Sequence, residues 1–466
     1  MAPTRIEKDF LGEVEIPADA YYGVQTMRAV RNFPVSGLRA HAEFIAAMGR
    51  IKEAAAAANE TLGALPPKIA RVVVQAAREV SDGKLDSQFV VDVYQAGAGT
   101  SFHMNANEVI ANRALELLGE PRGNYRVVHP NDHVNLGQST NDVYPTAMRV
   151  AALSMLPALQ DALRALARAF ETKKREFIRV TKSGRTHLSD AAPMTLGQEF
   201  GGYARALARS LDHLAKTSHE LFDVGIGGSA VGTGLTAPEG FRPLVVKNLA
   251  ALTGLPLRPS ANTFESMQSC APFAMTSGAL RALALELIRI ANDLRLLSSG
   301  PNTGLGEITL PAVQPGSSIM PGKVNPVIPE MMNMVAFQVV GFDAGVACAV
   351  QAGQLELNVM MPLINYNLLE STRILTNAIS ILEEKCVRGI SPREDTCRLN
   401  ARRSVGLATL LKPLIGYEKA SDLARESVRT GKSIGELAVE RGYMTEKELE
   451  DALLRPAERD PDGPRA

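Results

Sequence analysis

The amino-acid sequence predicts a mainly α-helical fold in which long helices pack into a bundle. Three stretches support this prediction. Residues 148–177 carry apolar side chains at helical spacing, residues 278–300 repeat them at alternating spacings of 3 and 4, and residues 331–362 contain almost no charge. Apolar residues three and four positions apart lie on one face of a helix, where they pack against a neighbour.

The first two stretches are predicted to be long helices of the bundle. We expect the helix at 148–177 to kink at Pro157, because proline removes a backbone hydrogen bond inside a helix. The stretch at 278–300 has six apolar residues at bundle spacing, which are Leu280, Leu283, Leu287, Ile290, Leu294 and Leu297. Such a seam is typical of helices that pack side by side.

The third stretch has Asp343 and Glu356 as its only charged residues, so a helix there is apolar nearly all round. Such a helix must be surrounded by lipid or by protein. We reject a membrane span, because no continuous apolar run approaches the ~20 residues that it needs. The polar residues that interrupt the stretch include Asn333, Gln338, Gln351 and Gln354. Burial among helices of neighbouring subunits explains the composition better and predicts an oligomer.

A chain of 466 residues exceeds one ordinary core and predicts roughly three domains. We place a mixed, mainly helical domain at 1–138, a central helical bundle at 139–395, and a small C-terminal helical domain at 396–466. The first domain is expected to begin with an irregular segment and to have short helices. In the last domain, Thr445 and Glu448 have the spacing of a capping box, and the tail at 455–466 is predicted to be disordered.

The composition argues against several classes of protein. The chain has 50 basic and 50 acidic residues, so no net charge attracts nucleic acid or an anionic membrane. The four cysteines lie far apart without histidines at ligand spacing, which predicts reduced thiols, no disulfide framework and no metal site. The N-terminus carries charges before any apolar run, unlike a secretory signal peptide. We therefore expect a cytoplasmic protein.

Candidate ligand-binding side chains occur in three polar stretches, at 97–108, 135–146 and 183–195. Each is rich in hydroxyl and amide groups and precedes or joins a helix. Capping of helix N-termini alone would explain any one of them. Three such stretches together with the cation of Lys323 instead favour a small dicarboxylate ligand, because helix N-termini bind anions.

The loop GSSIMPGKVNP, residues 316–326, combines glycines, prolines and two serines between helical stretches. One interpretation is an ordinary surface loop. The other is that backbone N–H groups beside Ser317 and Ser318 stabilise an oxyanion, including the alkoxide of a serine that acts as a base. A Ser-His-Asp hydrolase at Ser317 is set aside, because the GxSxG motif is absent.

Six of the seven histidines divide into three groups. His187 follows Thr186 in a polar loop and is the candidate for polar chemistry. We interpret His41, His213 and His219 as ordinary surface residues in helical contexts. His103 and His129 fit either description.

These motifs resemble those of the fumarase/aspartase superfamily of lyases. The loop at 316–326 is similar to the family signature, and GTSxxMNxNE, QSTND and GRTHLxDAxPMTLGQE occur in the expected order across most of the chain. This set is far more specific than a single glycine-rich loop. The resemblance implies a three-domain lyase whose central long-helix bundle forms a shared multi-helix core in a homotetramer, with sites that each draw on three subunits.

Within the superfamily, YYGVQT, GQSTNDVYPT, KVNPVIPE and GQLELNVMMP resemble the aspartase branch. This branch releases ammonia from L-aspartate to give fumarate. Two differences from the aspartase pattern keep the fumarase reaction as an alternative. The segment GGSAVGTGL is closer to the fumarase sequence, and His103 stands where the family commonly has asparagine. A non-catalytic helical scaffold is a third hypothesis, but it predicts a degraded site.

The resemblance also implies a role for each candidate residue. Ser317 is the base that removes the Cβ proton, on a loop that closes over the substrate. The β-carboxylate, which gains charge, is held by Thr100, Ser139, Thr140 and Ser318. The α-carboxylate is held by Thr186, Lys323 and Asn325. Asn141 and His187 lie near the amino group, and His187 is instead a proton relay if the enzyme hydrates fumarate. This mechanism requires no cofactor and no metal.

Overall fold

The structure, a computed structural model, describes residues 3–458. Within this range the chain forms sixteen α-helices and four two-stranded sheets, which confirms the prediction of a mainly α-helical fold. The helices are α1 Val24–Asn32, α2 Ala42–Thr61, α3 Pro67–Ser81, α4 Thr100–Leu117, α5 Thr140–Glu176, α6 Leu196–Thr217, α7 Phe241–Thr253, α8 Thr263–Gln268, α9 Ala271–Leu297, α10 Val327–Gln351, α11 Met361–Lys385, α12 Glu394–Arg403, α13 Leu407–Ile415, α14 Tyr417–Thr430, α15 Ile434–Glu440 and α16 Glu446–Glu458.

The strands are short and pair only with one partner each. They are β1 Thr4–Asp9, β2 Gly12–Pro17, β3 Thr181–Thr186, β4 Ser189–Thr195, β5 Asp223–Val224, β6 Arg258–Pro259, β7 Ile308–Thr309 and β8 Ser391–Pro392. The pairs β1–β2, β3–β4 and β7–β8 are antiparallel, and β5–β6 is parallel. Each sheet therefore joins only two short segments, and the strands do not form a layer of the fold.

The chain divides into two compact units that are not continuous in sequence. Unit 1 contains the residues up to Leu159, His213–Ala282 and Gln338–Ile374, and unit 2 contains Gln160–Asp212, Leu283–Phe337 and the residues from Leu375 onward. In unit 1, α2 packs against α3 and α7. In unit 2, α12 and α13 pack against the β3–β4 hairpin, and apolar side chains of α12 to α16 form a core. The three-domain division at residues 138 and 395 remains a prediction.

The long helices follow the predicted pattern. All six seam residues of α9 are buried, each with no more than 4% of its surface exposed. Helix α5 runs through both Pro145 and Pro157 over 37 residues, so Pro157 does not end the helix. Pro145 lies near the N-terminal end of α5, where backbone N–H groups have no partner within the helix.

Helix α10 is only partly covered within one chain. Met334 and Phe337 keep 66% and 57% of their surface exposed. By length and composition alone, three helices of the described chain, α5, α9 and α10, could cross a membrane. Helix α10 therefore presents an apolar face that the single chain does not bury.

Two polar side chains of α10, Asp343 and Asn333, have partners on α9. The carboxylate of Asp343 accepts a hydrogen bond from the Ser277 hydroxyl at 2.6 Å and pairs with Arg281 at 2.7 Å. The Asn333 amide donates to Asn292 Oδ1 at 2.7 Å. These two polar interruptions of the apolar stretch thus connect helices of the bundle.

Two features of the N-terminal part differ from the prediction. The expected irregular segment forms the β1–β2 hairpin, and α2 and α4 have 20 and 18 residues rather than being short. Both helices are buried on several sides, so their apolar and small residues do not alternate with polar ones at helical spacing. Without this alternation, the sequence does not indicate how long either helix is.

The C-terminal end agrees in part with the prediction. Thr445 and Glu448 form the predicted capping box: Thr445 N–H donates to Glu448 at 2.7 Å, and Glu448 N–H donates to Thr445 Oγ1 at 3.2 Å. Helix α16 continues to Glu458, four residues into the tail for which disorder was expected. The remainder of that tail, residues 459–466, lies outside the described residues.

The buried carboxylate of Glu108 connects α4 to the start of α1. It accepts N–H groups from Gly23, Gln25 and Thr26 at 2.8, 2.8 and 3.1 Å and the Thr26 hydroxyl at 2.6 Å. Burial raises the pKa of Glu108 to about 6, although these hydrogen bonds lower it. The N-terminal segment is thereby fixed to α4, the helix that begins with the candidate residue Thr100.

The Thr26→Val substitution tests this connection. It removes one donor from a buried carboxylate, so we expect the free energy of unfolding to fall by about 1.5–3 kcal/mol, the usual value of a hydrogen bond to a charged group. Thr26→Ser keeps the hydroxyl and is the control. Urea denaturation measures both variants, and equal stability of the two would contradict the role assigned to the hydroxyl.

Candidate active site

The N-terminal ends of α4 and α5 lie against each other in unit 1. His103 Nδ1, in the first turn of α4, is 2.7 Å from Oγ1 of Thr140, the first residue of α5. Gly99 precedes α4 with φ of +84°, and a Cβ atom there would lie 2.1 Å from the Tyr144 ring. Glycine is thus required for the helix ends to approach. Two helix N-termini and their hydroxyl groups are suited to an anion.

Ser139 lies immediately before α5 and caps its N-terminal end. Its Oγ accepts the N–H of Asn141 at 3.2 Å, and its own N–H donates to Asp142 at 2.9 Å. The Asn141 amide donates to the carbonyl of Ala230 at 2.8 Å. Thr100, Ser139, Thr140 and Asn141 therefore lie at two adjacent helix ends.

The buried carboxylate of Asp142 fixes the segment that precedes α7 to the start of α5. Besides Ser139 N–H, it accepts the N–H groups of Gly227 and Ser229 at 3.0 and 2.9 Å. Burial raises the pKa of Asp142 to about 6, against the effect of these hydrogen bonds and of the Lys52 charge. The GGSA sequence that resembles fumarases thus packs directly on the candidate site.

Sequence reasoning missed Lys52, which lies in α2 and is fully buried. Its Nζ is 2.7 Å from His103 Nε2, 2.9 Å from Asn135 Oδ1 and 3.0 Å from Gln138 Oε1. The available signal was its position four residues after the buried Met48, on the inner face of α2. A lysine on such a face needs polar partners, because a buried charge is costly without them.

In unit 2, Thr186 and His187 lie at the tip of the β3–β4 hairpin. His187 and Leu188 form the two-residue turn with φ of +54° and +61°. Positive φ is uncommon for residues other than glycine and often marks a functional site. Thr186 and His187 are exposed in the single chain, so both can contact a ligand.

The base of this hairpin is fixed by Glu307, which is fully buried. Its carboxylate accepts two hydrogen bonds from the Arg185 guanidinium at 2.7 and 3.1 Å and one from Asn400 at 3.0 Å. Burial raises the pKa of Glu307, but the hydrogen bonds from Arg185 and the charge of Lys182 outweigh it, so the pKa is lowered. The exposed tip therefore extends from a rigid base.

The loop at 316–326 holds Ser317 in a polar turn of backbone. Ser317 Oγ accepts the N–H groups of Ile319 and Met320 at 3.2 and 2.9 Å. Hydrogen bonds from two backbone N–H groups favour a negative charge on this oxygen. Ser317 is half-buried, whereas Ser318 is exposed.

The two ends of this loop are joined. Gly316 N–H donates to the Lys323 carbonyl at 2.7 Å, and the Asn325 amide donates to the Gly316 carbonyl at 2.6 Å. A Cβ atom on Gly316 would lie 2.6 Å from Asn325 N. Asn325 thus supports the loop in this state, while Lys323 is exposed.

Four of the ten candidate residues lie in unit 1, at the starts of α4 and α5, and six lie in unit 2, on the β3–β4 hairpin and the loop at 316–326. Their assignment to one active site remains a prediction. No group of three or more His, Cys, Asp or Glu residues in the range 3–458 is placed to hold a metal ion. All four cysteines are free.

Four other histidines are placed as follows. His41 is not an ordinary surface residue as predicted, because its Nε2 lies 2.9 Å from Glu370 and its side chain is only 9% exposed. His213 and His219 are exposed, as predicted. His129 accepts the N–H groups of Asn131 and Asp132, both at 3.1 Å, and caps a short turn.

Comparison with known families agrees with this arrangement. Residues 12–341 match a family described as "Lyase", and residues 407–458 match "Fumarase C C-terminus". The first match covers more than half of the chain. The chain therefore belongs to this family of lyases, which confirms the resemblance seen in the motifs.

Two curated relatives are named aspartate ammonia-lyase. The relative from a Bacillus species is 50% identical over 96% of this chain and 96% of its own, and that from Escherichia coli K12 is 48% identical over 97% and 96%. A solved structure named fumarate lyase:delta crystallin from Brucella melitensis, bound to cobalt, has a TM-score of 0.94 at 48% identity, covering 98% of this chain and 99% of its own. A class II fumarase from Schistosoma mansoni has a TM-score of 0.93 at 37% identity, covering 99% and 100%.

Asp142→Asn tests the carboxylate beneath the start of α5. The folded-state pKa of about 6 lies above the ordinary value of 3.8, so the folded protein holds this proton more tightly. The contribution of Asp142 to stability therefore falls as pH rises from about 4 to about 6. Thermal denaturation should show this decline in the parent protein and a flatter profile in Asp142→Asn. Identical profiles would contradict the raised pKa.

Proposed function

We propose that this protein is a carbon–nitrogen lyase that reversibly removes ammonia from L-aspartate to give fumarate. The observation that carries the proposal is the position of Ser317 Oγ beneath the N–H groups of Ile319 and Met320. A serine in this environment can lose its proton and act as a base. The choice of L-aspartate as substrate is supported by the names of the curated relatives.

The difficult step is removal of a proton from Cβ, because carbon acids beside a carboxylate are very weak. The Ser317 alkoxide takes this proton, and the electron pair moves into the adjacent β-carboxylate to give an enediolate. The enediolate then re-forms its carboxylate as the Cα–Cβ double bond forms and the C–N bond breaks. Ammonia leaves as a neutral molecule and needs no obligatory acid.

Stabilisation of the enediolate requires several donors aimed at one carboxylate. We assign this role to Thr100, Ser139, Thr140 and Ser318. Thr186, Lys323 and Asn325 are assigned to the α-carboxylate. The charge of Lys323 and the amide of Asn325 do not change during the reaction. Asn141 and His187 are assigned to the amino group. None of these steps uses a cofactor.

Fumarate hydration is the second candidate function. Contact between the fumarase-like GGSA segment and the start of α5 favours it, through Asp142 and Asn141. Hydroxide is a poor leaving group, so this reaction would need His187 as a proton relay. An ultraviolet assay for fumarate with L-aspartate and, separately, L-malate distinguishes the two. Fumarate from L-malate alone would overturn the proposed ammonia-lyase activity.

Ser317→Ala should abolish turnover of L-aspartate, because no other group is assigned to take the Cβ proton. Ser318→Ala is the matched control: it keeps the base and loses one carboxylate donor, at a cost of roughly 10²–10³ in kcat. The same ultraviolet assay measures both. Near-normal activity of Ser317→Ala would remove the assigned base.

We also propose that the chain acts as a cytoplasmic homotetramer. Helix α10 leaves an apolar face exposed around Met334 and Phe337, and an exposed apolar surface of this kind indicates a protein interface. We assign this face to neighbouring subunits rather than to lipid, because Asp343 and Asn333 on the same helix make polar contacts with α9.

Phe337→Glu tests the assembly. A carboxylate on the apolar face of α10 would be buried without a partner, so we expect dissociation to smaller species and loss of turnover. Val428→Glu, at a residue of α14 that is 80% exposed, is the control and should leave the tetramer intact. Sedimentation velocity gives the oligomeric state. A Phe337→Glu protein that remains tetrameric would contradict the assigned interface.

A further inference from the structure

The buried pair Lys52 and His103 lies directly behind a candidate substrate-binding residue. Lys52 Nζ is 2.7 Å from His103 Nε2, and the other ring nitrogen, Nδ1, is 2.7 Å from Thr140 Oγ1. Lys52 is 0% and His103 1% exposed. A continuous chain of hydrogen bonds therefore runs from a lysine inside the protein to the first hydroxyl of α5.

The neighbouring amide groups fix how the Lys52 amine is used. The Asn135 amide nitrogen donates to the Gln138 carbonyl at 3.2 Å, and the Gln138 amide nitrogen donates to the carbonyls of Val134 and Leu136 at 3.1 and 3.3 Å. The oxygen atoms of both amides therefore face Lys52. Because an amide oxygen only accepts, Lys52 must donate one N–H to each of them.

The contact with His103 then depends on the charge of Lys52. An ammonium group has a third N–H, which donates to His103 Nε2 and leaves the ring proton on Nδ1. A neutral amine instead accepts from Nε2–H, which leaves Nδ1 without a proton. Burial lowers the pKa of Lys52 well below its ordinary value, and the Asp142 charge opposes this shift only in part. The two amide oxygens and the nearby Asp142 carboxylate stabilise the ammonium form against this shift.

The two arrangements give Thr140 opposite properties. When Nδ1–H donates to Thr140 Oγ1, the hydroxyl proton of Thr140 is free to donate to a carboxylate. When Nδ1 accepts, the hydroxyl proton is used on the histidine, and only lone pairs face the anion. Burial and the nearby Lys52 charge lower the pKa of His103 well below its ordinary value, so the ring is neutral and has a single proton.

We propose that Lys52 and His103 are positioning residues that fix the Thr140 hydroxyl as a hydrogen-bond donor to the substrate carboxylate. This inference rests on the proposed function, in which Thr140 stabilises the enediolate. The Lys52 ammonium polarises this chain of hydrogen bonds towards the substrate carboxylate as negative charge develops on it. Neither residue touches the substrate, and both act through Thr140.

A double-mutant cycle tests the inference. Thr140→Val should lower kcat/KM for L-aspartate by roughly 10²-fold, the loss of one oxyanion donor. His103→Leu should lower it by about tenfold or more, and His103→Leu combined with Thr140→Val should be no worse than Thr140→Val alone, since residues that act through one another are not additive. Losses that multiply would overturn the inference.

His103→Asn is the conservative control. The asparagine amide places an N–H at the position of Nδ1 and can donate to Thr140, although it does not reach Lys52. We expect this variant to recover most of the activity that His103→Leu loses. The recovery should be larger in kcat than in KM. Equal activity of the asparagine and leucine variants would indicate a structural role only.

Nitrogen NMR of ¹⁵N-histidine-labelled protein tests the same point without turnover. The resonance that disappears in His103→Asn should belong to a neutral ring protonated at Nδ1. A ring protonated at Nε2 would overturn the inference, even if the enzyme is active. Inactivity of the parent protein towards both L-aspartate and L-malate would instead refute the proposed function. The NMR result would still show in which direction the hydrogen bonds from Lys52 through His103 to Thr140 run.

Discussion

The close approach of the N-terminal ends of α4 and α5 is the contact on which the candidate carboxylate site of unit 1 depends. The backbone at Gly99 lies on the Tyr144 ring with no space for a side chain. Each helix end carries a partial positive charge, so bringing two together is unfavourable unless a negative charge is near. The carboxylate of Asp142 supplies one such charge beneath α5. The positive charge that Asp142 does not balance, together with the charge of the Lys52 ammonium behind it, favours binding of an anionic ligand.

The two groups of candidate residues differ in how they are held. In unit 1, hydroxyls lie on the first turns of buried helices, which gives them fixed directions. In unit 2, Thr186 and His187 lie on an exposed hairpin tip, and Ser317 lies in a loop joined at its ends. The buried ion pair of Glu307 with Arg185 keeps the hairpin base rigid. Fixed directions suit donors to a carboxylate on which charge builds, and a loop joined only at its ends suits a base that must reach its substrate.

The structure explains which features were predictable from the sequence. The seam of α9, the capping box at Thr445 and the donor groups of loop 316–326 depend on residues close in the chain, so their spacing is informative. Lys52 was missed because its partners, His103, Asn135 and Gln138, lie 51 to 86 residues away. Its helix is rich in alanine and buried on several sides, which leaves no periodic pattern against which a lysine stands out.

The N-terminal hairpin was missed for a related reason. Its turn, Asp9 to Gly12, exposes Phe10 by 95% and lacks the Asn-Gly pair that signals a tight turn. Its place is set by distant groups, because Glu7 accepts the Tyr125 hydroxyl at 2.9 Å and the N–H of Val24 at 3.1 Å. Contacts between residues far apart in the chain determine the structure of such segments, and a local sequence pattern does not reveal these contacts.

Exposure of the candidate residues links the chemistry to assembly. Thr100, Thr186, His187, Ser318 and Lys323 all face solvent in the single chain. Hydrogen bonds to a developing enediolate are strong only where water is excluded, because water screens the charge and competes for the donors. A catalytic site built from these residues therefore needs surfaces that cover them. In the proposed homotetramer, burial of the apolar face of α10 would supply the driving force for assembly, and the same assembly would exclude water from the site.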